Sequence, residues 1–388
     1  MNQDLKRFGI WMDFDNAYMP VKKEFISGQW AFFKKAYEQN RLYKGKKVMH
    51  WDQETETALA KHELEYKSVK DTSIFLKFKK KNTKNEYFII WTTTPWTIPF
   101  NLAIMANPEI DYLKIKVDDE YWIIAKDLAG IFMNSVAGKK YKIIDEFKGS
   151  VLEGQEYEHF LDKELEGKYE ELKKDSRNIH SIVLSKQYVD TSSGTGLVHC
   201  ATGCGPEDEE VGREYGIATF NTLNERGEFV EGKFKGWTAK TDDNRFIEYF
   251  KRKGNLIAAT EVEHDYPHSW RSHKPVIFRA TEQWFLKTSN LSSLLLKFNK
   301  DVYWVPKKSG ESYDNWAENL KDNSAVRQRF WGCPVPIWVN ENDENDFIVI
   351  GSVQELEKLT GKKFDDLSLH KPLIDNIVIE KNEKKSAR

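Results

Sequence analysis

The stretch IFLKFKKKNTKNEYFII, residues 74–90, decides the fold of the middle of the chain. Ile74, Leu76 and Phe78 alternate with Phe75 and two lysines, which is the two-residue period of a β-strand. The polar run KKKNTKNE then turns the chain, and YFII returns it as a second strand. Similar patterns recur in LKIKV, YWIIA and HSIVLSKQYV, each bounded by polar turns. We therefore expect a closed or nearly closed β-barrel of roughly 200 residues.

Helical patterns lie outside this zone. Ile26, Trp30, Phe33 and Tyr37 repeat at helical spacing and predict an amphipathic helix through about residue 41. Near the other end, DFIVIGSVQELEKLTG predicts a strand and then a helix with Ser352 and Glu355 as a capping box and Gly361 as the stop.

The organisation is therefore an α/β and β chain in which a β-domain interrupts a mixed domain. We place the boundaries at 1–66, 67–263 and 264–388. The last stretch ends in the charged tail EKNEKKSAR, residues 380–388, which we predict to be disordered.

Composition narrows the class of protein. A chain of 388 residues with 40% hydrophobic content has room for two or three domains. A net charge of −2 gives no global basic field of the kind that marks many nucleic-acid binders. Three cysteines, an odd number, argue against a disulfide framework. The apolar runs are too short for a membrane span and the first residues lack a signal core, so we expect a cytoplasmic protein without a membrane partner.

The segment WTTTPWTIPFN, residues 91–101, places three adjacent threonines where a strand ends. Threonine is a good strand residue, so the triplet alone is compatible with a purely structural role. Adjacent hydroxyls also donate and accept hydrogen bonds without adding charge. They could therefore hold an ester and a water molecule.

A second unusual segment is GTGLVHCATGCGPEDEEVG, residues 194–212. It places His199 at the end of a strand and Asp208 at the start of a helix. Taken alone, His199 is more often a satisfied structural histidine, and Asp208 a carboxylate that stabilises the first helical turn. Cys200 and Cys204 beside His199 suggest a metal site, but no second ligand pair is evident, so we expect none.

Together the two segments closely resemble the editing-domain signatures of the isoleucyl-tRNA synthetases, a class I aminoacyl-tRNA synthetase family. Further matches follow in the family's order: FGIWMDFDNAYMP, TALAKHELEYK, WRSHKPVIFRATEQWF, NWAENLKDNSAVRQRFWGCPVPIW and LHKPLIDNIVIE. Thr94 is discriminating, because the valyl and leucyl relatives carry an arginine there. The resemblance covers essentially all of the chain.

The resemblance implies a β-barrel-like editing (CP1) domain inserted between incomplete Rossmann-like segments. It also implies hydrolysis of mischarged Val-tRNA(Ile), because one missing methylene gives a synthetic pocket too little discrimination. The partners would be the 3′ acceptor end of tRNA(Ile) and its valine or isoleucine moiety. By the family's pattern the catalytic residues are Thr92, Thr93, Thr94 and Asp208, and the substrate-binding residues are Trp91, Asn101, His199 and Asp208.

In that pattern Asp208 binds the substrate's α-ammonium group, and His199 lines the pocket for the substrate's side chain. No general base stands out among these residues. Positioned water, assisted by a terminal ribose hydroxyl, is therefore preferred over a histidine-driven mechanism.

The sequence also departs from the family. Ala201-Thr202 stands where many members have Ala-Pro, which puts the pocket's shape in question. Asp52, Thr55, Ser269 and Ser272 occupy positions where some members have two Cys-x-x-Cys pairs, so we expect no zinc.

The His-x-Gly-His and Lys-Met-Ser-Lys-Ser segments, with which the family handles ATP, are not found in these residues. ATP is therefore expected only in the complete synthetase, and editing needs no cofactor. Three functions remain open: hydrolysis by this chain alone, a piece of isoleucine–tRNA ligase that acts in aminoacylation only with the missing segments in trans, and a tRNA-binding module without activity.

Overall fold

The computed structural model describes residues 2–381 and 384–387. The chain divides into two units. We call Lys46–Glu282 the barrel unit, and Met1–Gly45 with Gln283–Arg388 the terminal unit.

The strands of the described residues are, in chain order, β1 (Leu42–Asp52), β2 (Thr57–Leu59), β3 (Leu64–Lys80), β4 (Glu86–Thr92), β5 (Ala103–Ala106), β6 (Asp111–Val117), β7 (Glu120–Ala125), β8 (Lys142–Lys148), β9 (Tyr157–Glu158), β10 (Ser181–Leu184), β11 (Leu197–Cys200), β12 (Leu256–Ser269), β13 (Ile277–Leu286), β14 (Asn323–Ser324), β15 (Ile337–Asn340), β16 (Asp343–Val349), β17 (Ile379–Lys381) and β18 (Lys384–Ala387).

The α-helices are α1 (Asn2–Arg7), α2 (Lys23–Glu38), α3 (Lys126–Ile131), α4 (Lys168–Asp175), α5 (Pro206–Glu214), α6 (Asp243–Lys253), α7 (Ser292–Asn299), α8 (Lys308–Glu318) and α9 (Val353–Thr360). A π-helix at Phe132–Ala137 continues α3. Short 3₁₀-helices lie at Lys61–Glu63, Pro95–Phe100, Gly149–Leu152, Asp162–Leu165, Ser289–Leu291, Leu367–Leu369 and Leu373–Asn376.

The hairpin predicted from residues 74–90 is confirmed as β3 and β4. The two strands pair antiparallel from Ile74 opposite Thr92 to Lys79 opposite Tyr87. Because side chains alternate across a strand, Leu76 and Ile90 fall into one buried cluster while Phe75 falls into another. Both faces of the hairpin are therefore covered, which explains why its apolar residues are not confined to every second position.

The strands around this hairpin close into a ring, as the sequence predicts. β4 pairs with β11, β11 with β5, and β5 with β10. On the other side β3 pairs with β9. The gap between β9 and β10 is closed by Ile182 N–H to Gln155 O, 2.8 Å, and Tyr157 N–H to His180 O, 2.9 Å. Leu76, Phe78, Phe88 and Ile90 belong to its large buried cluster.

A second layer branches from the ring. The first half of β4 pairs with β7 instead of β11, and β6 and β8 extend from β7. Ile115, Ile124 and Phe132 of this layer are buried with Phe75 and Ile89. This layer covers the outer face of the hairpin.

The barrel unit extends about twenty residues beyond the predicted 67–263 at each end. β3 and β12 pair continuously from Leu76 opposite Leu256 to Leu64 opposite Ser269, so the ladder crosses both predicted boundaries. Alternation of side chains becomes weak where both faces of such a ribbon meet solvent. The domain names given from sequence stay predictions.

The terminal unit contains the predicted helices. In α2, Ile26, Trp30, Phe33 and Ala36 are buried, whereas Tyr37, which was predicted on this face, is exposed. Ser352 caps α9 by accepting the Glu355 N–H at 3.1 Å, and Gly361 ends the helix at φ +68°. Both signals are confirmed, although the Glu355 carboxylate accepts the Gly351 N–H rather than that of Ser352.

The sheet of the terminal unit runs β16-β15-β18-β17, and its described pairs are antiparallel. The chain is thus mixed α/β and β as predicted, while the Rossmann-like character of its ends stays a prediction. Of the tail predicted to be disordered, residues 382, 383 and 388 lie outside the described residues. Lys384–Ala387 are assigned to β18, which pairs with β15 and β17, and the disorder predicted for the tail stays a prediction. None of the described helices is long and apolar enough to cross a membrane.

Candidate active site

The two segments singled out in the sequence meet at one edge of the barrel. β4 and β11 are parallel neighbours, with Val198 opposite Trp91. Parallel strands end on the same side of a sheet, so the residues after Trp91 and those after Val198 are neighbours. Thr92–Thr94 and His199–Ala201 are therefore brought together although about a hundred residues separate them in sequence.

A chain of hydroxyl groups connects the threonines to His199. Thr92 Oγ1 lies 3.1 Å from Thr94 Oγ1, which lies 3.2 Å from Thr97 Oγ1. Thr97 Oγ1 in turn lies 3.0 Å from His199 Nε2. Thr97 belongs to the 3₁₀-helix Pro95–Phe100 that follows the triplet.

The direction of each hydrogen bond follows from counting protons. Thr97 donates its hydroxyl proton to Thr94 O at 2.7 Å. With its one proton assigned to this contact, the shortest of the three, Thr97 Oγ1 accepts from Thr94 Oγ1 and from His199 Nε2. The Thr94 proton is thus committed to Thr97, and the Thr92 proton is committed to Thr94.

Counting the bonds of each hydroxyl shows which lone pairs and which protons remain available to a ligand. Thr92 Oγ1 already accepts the Thr94 N–H at 3.1 Å, so Thr92 and Thr94 each keep one free lone pair. Thr93 is half-buried, and its hydroxyl makes no hydrogen bond among the described residues. Thr93 is therefore the one member of the triplet with a proton available to a ligand.

His199 is buried, and burial lowers its pKa to about 4. The ring is therefore neutral near pH 7. In this assignment Nε2 donates to Thr97 and Nδ1 is the unprotonated nitrogen, to which no described residue bonds. A nitrogen with so low a pKa is a poor general base.

Asp208 lies in the first turn of α5, next to the end of β11. Its Oδ2 accepts the Ala201 N–H at 2.9 Å, while Oδ1 accepts no hydrogen bond from the described residues. Burial raises the pKa of this carboxyl group to about 7, and the nearby Glu207 adds to the shift. A Cβ on Gly205 would stand 2.9 Å from Oδ2, so glycine is needed there for the close approach.

The structure does not join all predicted residues in one network. No described hydrogen bond links Asp208 to the threonine hydroxyls. Asn101 is fully buried inside the barrel, where it donates to Ala103 O at 2.8 Å and accepts from the Tyr157 hydroxyl. Trp91 is half-buried and would be 3.0 Å from a Cβ on Gly194, whose φ is +76°. Binding roles for Asn101 and Trp91 stay predictions.

Sequence reasoning missed Thr97, the residue that joins the triplet to His199. The signal was its spacing, since a residue three positions after Thr94 lies one turn of 3₁₀-helix away.

Thr202, which stands where many family members have proline, has a structural role. Its hydroxyl donates to Ala218 O at 2.6 Å, a bond that proline could not make.

The four positions compared with zinc ligands form hydrogen-bonded turns. Asp52 Oδ1 accepts the Glu54 N–H at 3.0 Å, and Ser269 Oγ accepts the Arg271 N–H at 3.2 Å. The described residues contain no group of three or more His, Cys, Asp or Glu side chains that could hold a metal ion. Cys200 and Cys204 are buried and not joined in a disulfide. The expectation that no zinc binds stays a prediction.

Comparison with known proteins identifies the family. The model of the class I tRNA synthetases (I, L, M and V) matches residues 1–387. The chain belongs to this family. The isoleucine–tRNA ligase of Pyrococcus furiosus is 41% identical over 424 residues, which cover 100% of this chain and 39% of that protein. The isoleucine–tRNA ligase of Methanocaldococcus jannaschii is 41% identical over 393 residues, covering 97% of this chain and 37% of that protein.

These matches confirm the resemblance to the isoleucyl-tRNA synthetases among the class I tRNA synthetases. The chain spans about two-fifths of the length of the relatives it matches. Among solved structures, GlLeuRS-CP1 is similar with a TM-score of 0.39 and 13% identity over 49% of this chain and 99% of that one. The editing domain of the P. knowlesi cytosolic leucyl-tRNA synthetase has a TM-score of 0.35 and 10% identity over 52% of this chain and 99% of that one.

Proposed function

We propose that the barrel unit hydrolyses the ester bond that joins valine to the 3′ end of tRNA(Ile). The observation that carries this proposal is the shared edge of β4 and β11. There the chain of hydroxyl groups ends at His199, and two residues further along Ala201 donates its N–H to the half-buried Asp208 carboxylate, whose other oxygen accepts no hydrogen bond from the described residues. An aminoacyl ester has matching groups, a cationic amine next to a polar carbonyl.

Asp208 would bind the α-ammonium group of the substrate through Oδ1. Burial makes the ionised carboxylate unfavourable, which is why the pKa of Asp208 rises to about 7. A cation against Oδ1 would favour the charged form and lower that pKa again. A charge-assisted hydrogen bond of this kind contributes about 1.5–3 kcal/mol.

The three threonines would have two different roles in the hydrolysis. Thr93, with its free proton, would donate to the ester oxygen on which negative charge develops. Thr92 and Thr94 offer lone pairs and would accept protons from the attacking water or from a terminal ribose hydroxyl. Their own protons are committed within the chain, so this orientation is set before the substrate binds.

His199 would line the side-chain pocket as an uncharged ring and would not act as a base. Its pKa of about 4 leaves it uncharged at neutral pH, and its Nε2–H is engaged with Thr97. An uncharged ring can contact an apolar side chain. We expect valine to fit and isoleucine, with one more methylene, to clash.

Deacylation of tRNA charged with labelled amino acid tests the proposal. The purified chain should release valine from Val-tRNA(Ile) faster than buffer does, and should spare Ile-tRNA(Ile). Asp208→Ala, with Glu207→Ala as the matched control at the same helix start, should abolish most of the difference. Binding of tRNA without any release of valine would contradict the proposal and favour a tRNA-binding module. Equal release from both esters would contradict the valine specificity.

A further inference from the structure

The 3₁₀-helix Pro95–Phe100 carries Thr97, and its two ends are held by side chains from distant parts of the barrel unit. A short helix leaves its first N–H groups and last C=O groups without partners inside the helix. At the carboxyl end, the Tyr169 hydroxyl donates to Pro99 O at 2.7 Å, and His159 Nε2 lies 3.2 Å from Ile98 O. Neutral groups satisfy this end.

At the amino end the partner is a carboxylate. Trp96 donates its backbone N–H to Asp243 Oδ1 at 3.3 Å, across 147 positions of sequence. Trp96 stands between Thr94 and Thr97, and Thr97 bonds back to Thr94 O through both its N–H, 3.0 Å, and its hydroxyl, 2.7 Å. Fixing the Trp96 N–H therefore fixes the turn that aligns the hydroxyls.

Asp243 is itself held in place. It is the first residue of α6, and its Oδ2 lies 3.7 Å from Lys240 Nζ. Lys240 also pairs with Asp71 at 2.6 Å, and the Lys240 ammonium lies 4.5 Å from the centre of the Tyr266 ring. His264 Nε2 lies 2.9 Å from the same Asp71 oxygen, Oδ2. The carboxylate thus belongs to a cluster built from α6, β3 and β12.

We infer that Asp243 is a positioning residue for the proposed hydrolysis. It does not bond to the threonine hydroxyls, but holds the turn that orders them. The inference rests on the proposed function, since the hydroxyls have work to do only if an ester is bound. Misplacing reacting groups by about 1 Å can lower a rate by about 100-fold, so loss of this anchor should be visible in kcat.

To anchor the turn, the side chain at position 243 has to accept a hydrogen bond from the Trp96 N–H, but it does not have to be charged. Burial raises the pKa of Asp243 to about 7, with Lys240 opposing the shift. Protonated and ionised forms both offer an oxygen to the Trp96 N–H. Asp243→Asn should therefore preserve the anchor, whereas Asp243→Leu, of similar size but without an acceptor, should lose it.

The test compares these two variants in the full chain with Asp242→Leu as the matched control. Asp242 neighbours Asp243 in sequence but accepts the Thr238 N–H at 2.7 Å instead. Asp243→Leu should lower kcat for Val-tRNA(Ile) hydrolysis by about 10- to 100-fold with KM within about twofold. Asp243→Asn and Asp242→Leu should stay within about threefold of the unmodified chain.

Hydrogen exchange of the backbone amides, read by mass spectrometry, gives a second result that does not require hydrolysis. Asp243→Leu should speed exchange across residues 94–101, and the other two variants should not. If the unmodified chain does not hydrolyse the ester, the proposed function is wrong. Hydrogen exchange then still shows whether Asp243 anchors the turn. Unchanged exchange in Asp243→Leu overturns the inference. An equal loss of kcat in Asp242→Leu and Asp243→Leu also overturns it.

Discussion

Two regions lie at the edge of the barrel that carries the candidate site, and they differ in how their polar groups are satisfied. The threonine segment, residues 92–97, is neutral and bonded to itself and to His199. Asp208 is a half-buried carboxylate with one oxygen bonded to the Ala201 N–H and one that accepts no hydrogen bond from the described residues. The first arrangement stabilises the fold without a ligand, whereas the second is unfavourable until a cation arrives. The comparison separates groups that stabilise the fold from the group that, in the proposed function, binds the substrate.

The largest expected effect is on stability. The pKa of Asp208 is raised from 3.8 to about 7, so its contribution to stability is present below pH 4 and is lost as the pH rises through 7. Asp208→Asn, which keeps an acceptor for Ala201 but has no charge, should exceed the unmodified chain in free energy of unfolding at pH 8 by up to about 4 kcal/mol. Urea unfolding at pH 4 and pH 8 measures this. A destabilised Asp208→Asn at pH 8 would place Asp208 among the groups that build the fold.

The same variant should lose activity while it gains stability. Without the charge, binding of the ammonium weakens by about 1.5–3 kcal/mol, which lowers kcat/KM by roughly 10- to 150-fold. Steady-state deacylation of Val-tRNA(Ile) at pH 8 measures the change, with Glu207→Gln as the control. The comparison between the two regions fails if Asp208→Asn retains full activity.

Substitutions of Thr92 and Thr93 should differ in their effects on stability and on deacylation. Thr93→Val removes the free donor and should lower kcat by about 10- to 100-fold, with stability within about 0.5 kcal/mol. Thr92→Val leaves the Thr94 N–H without its acceptor and should cost about 1–2 kcal/mol of stability. Chemical unfolding and single-turnover deacylation of both variants give the split. Identical profiles for the two would show that the direction of the hydroxyl chain has no consequence.

The smallest expected effect is the absence of a histidine titration. With a pKa of about 4, His199 should remain neutral from pH 5 to pH 8. Its ring ¹⁵N shifts in NMR spectra should report a proton on Nε2 throughout that range, since Nε2 donates to Thr97. A His199 pKa near 6.5 would reopen the histidine-driven mechanism.

The hairpin at the centre of the barrel could be predicted because its signal is local. Ile74, Leu76 and Phe78 alternate with Phe75 and two lysines, and such a period is characteristic of strands. The same signal is weaker at the predicted domain boundaries, because β3 and β12 continue across them as a ribbon whose residues are partly exposed on both faces. The strand at Lys384–Ala387 depends on backbone partners that composition does not reveal.

In the candidate site, residue types were easier to predict than the hydrogen bonds between them. Thr92–Thr94 and His199 stood out as groups, but the link through Thr97 crosses 102 positions of sequence. Asn101 was assigned to the substrate by its motif, while the structure commits both ends of its amide to the barrel interior. The raised pKa of Asp208 depends on burial, which no single position in a sequence reports.

The most direct test of the account is the proton balance when a substrate analogue binds. A non-hydrolysable amide analogue of valyl-adenosine can be titrated into the chain at pH 6 by calorimetry, in buffers of different ionisation enthalpy. Most of the Asp208 carboxyl group is protonated there, because its pKa is about 7, while the analogue's amine is already charged. Binding the ammonium to Oδ1 should therefore release about one proton in the unmodified chain and none in Asp208→Asn. Tight binding without proton release in the unmodified chain would contradict the claim that Asp208 receives the substrate's ammonium group.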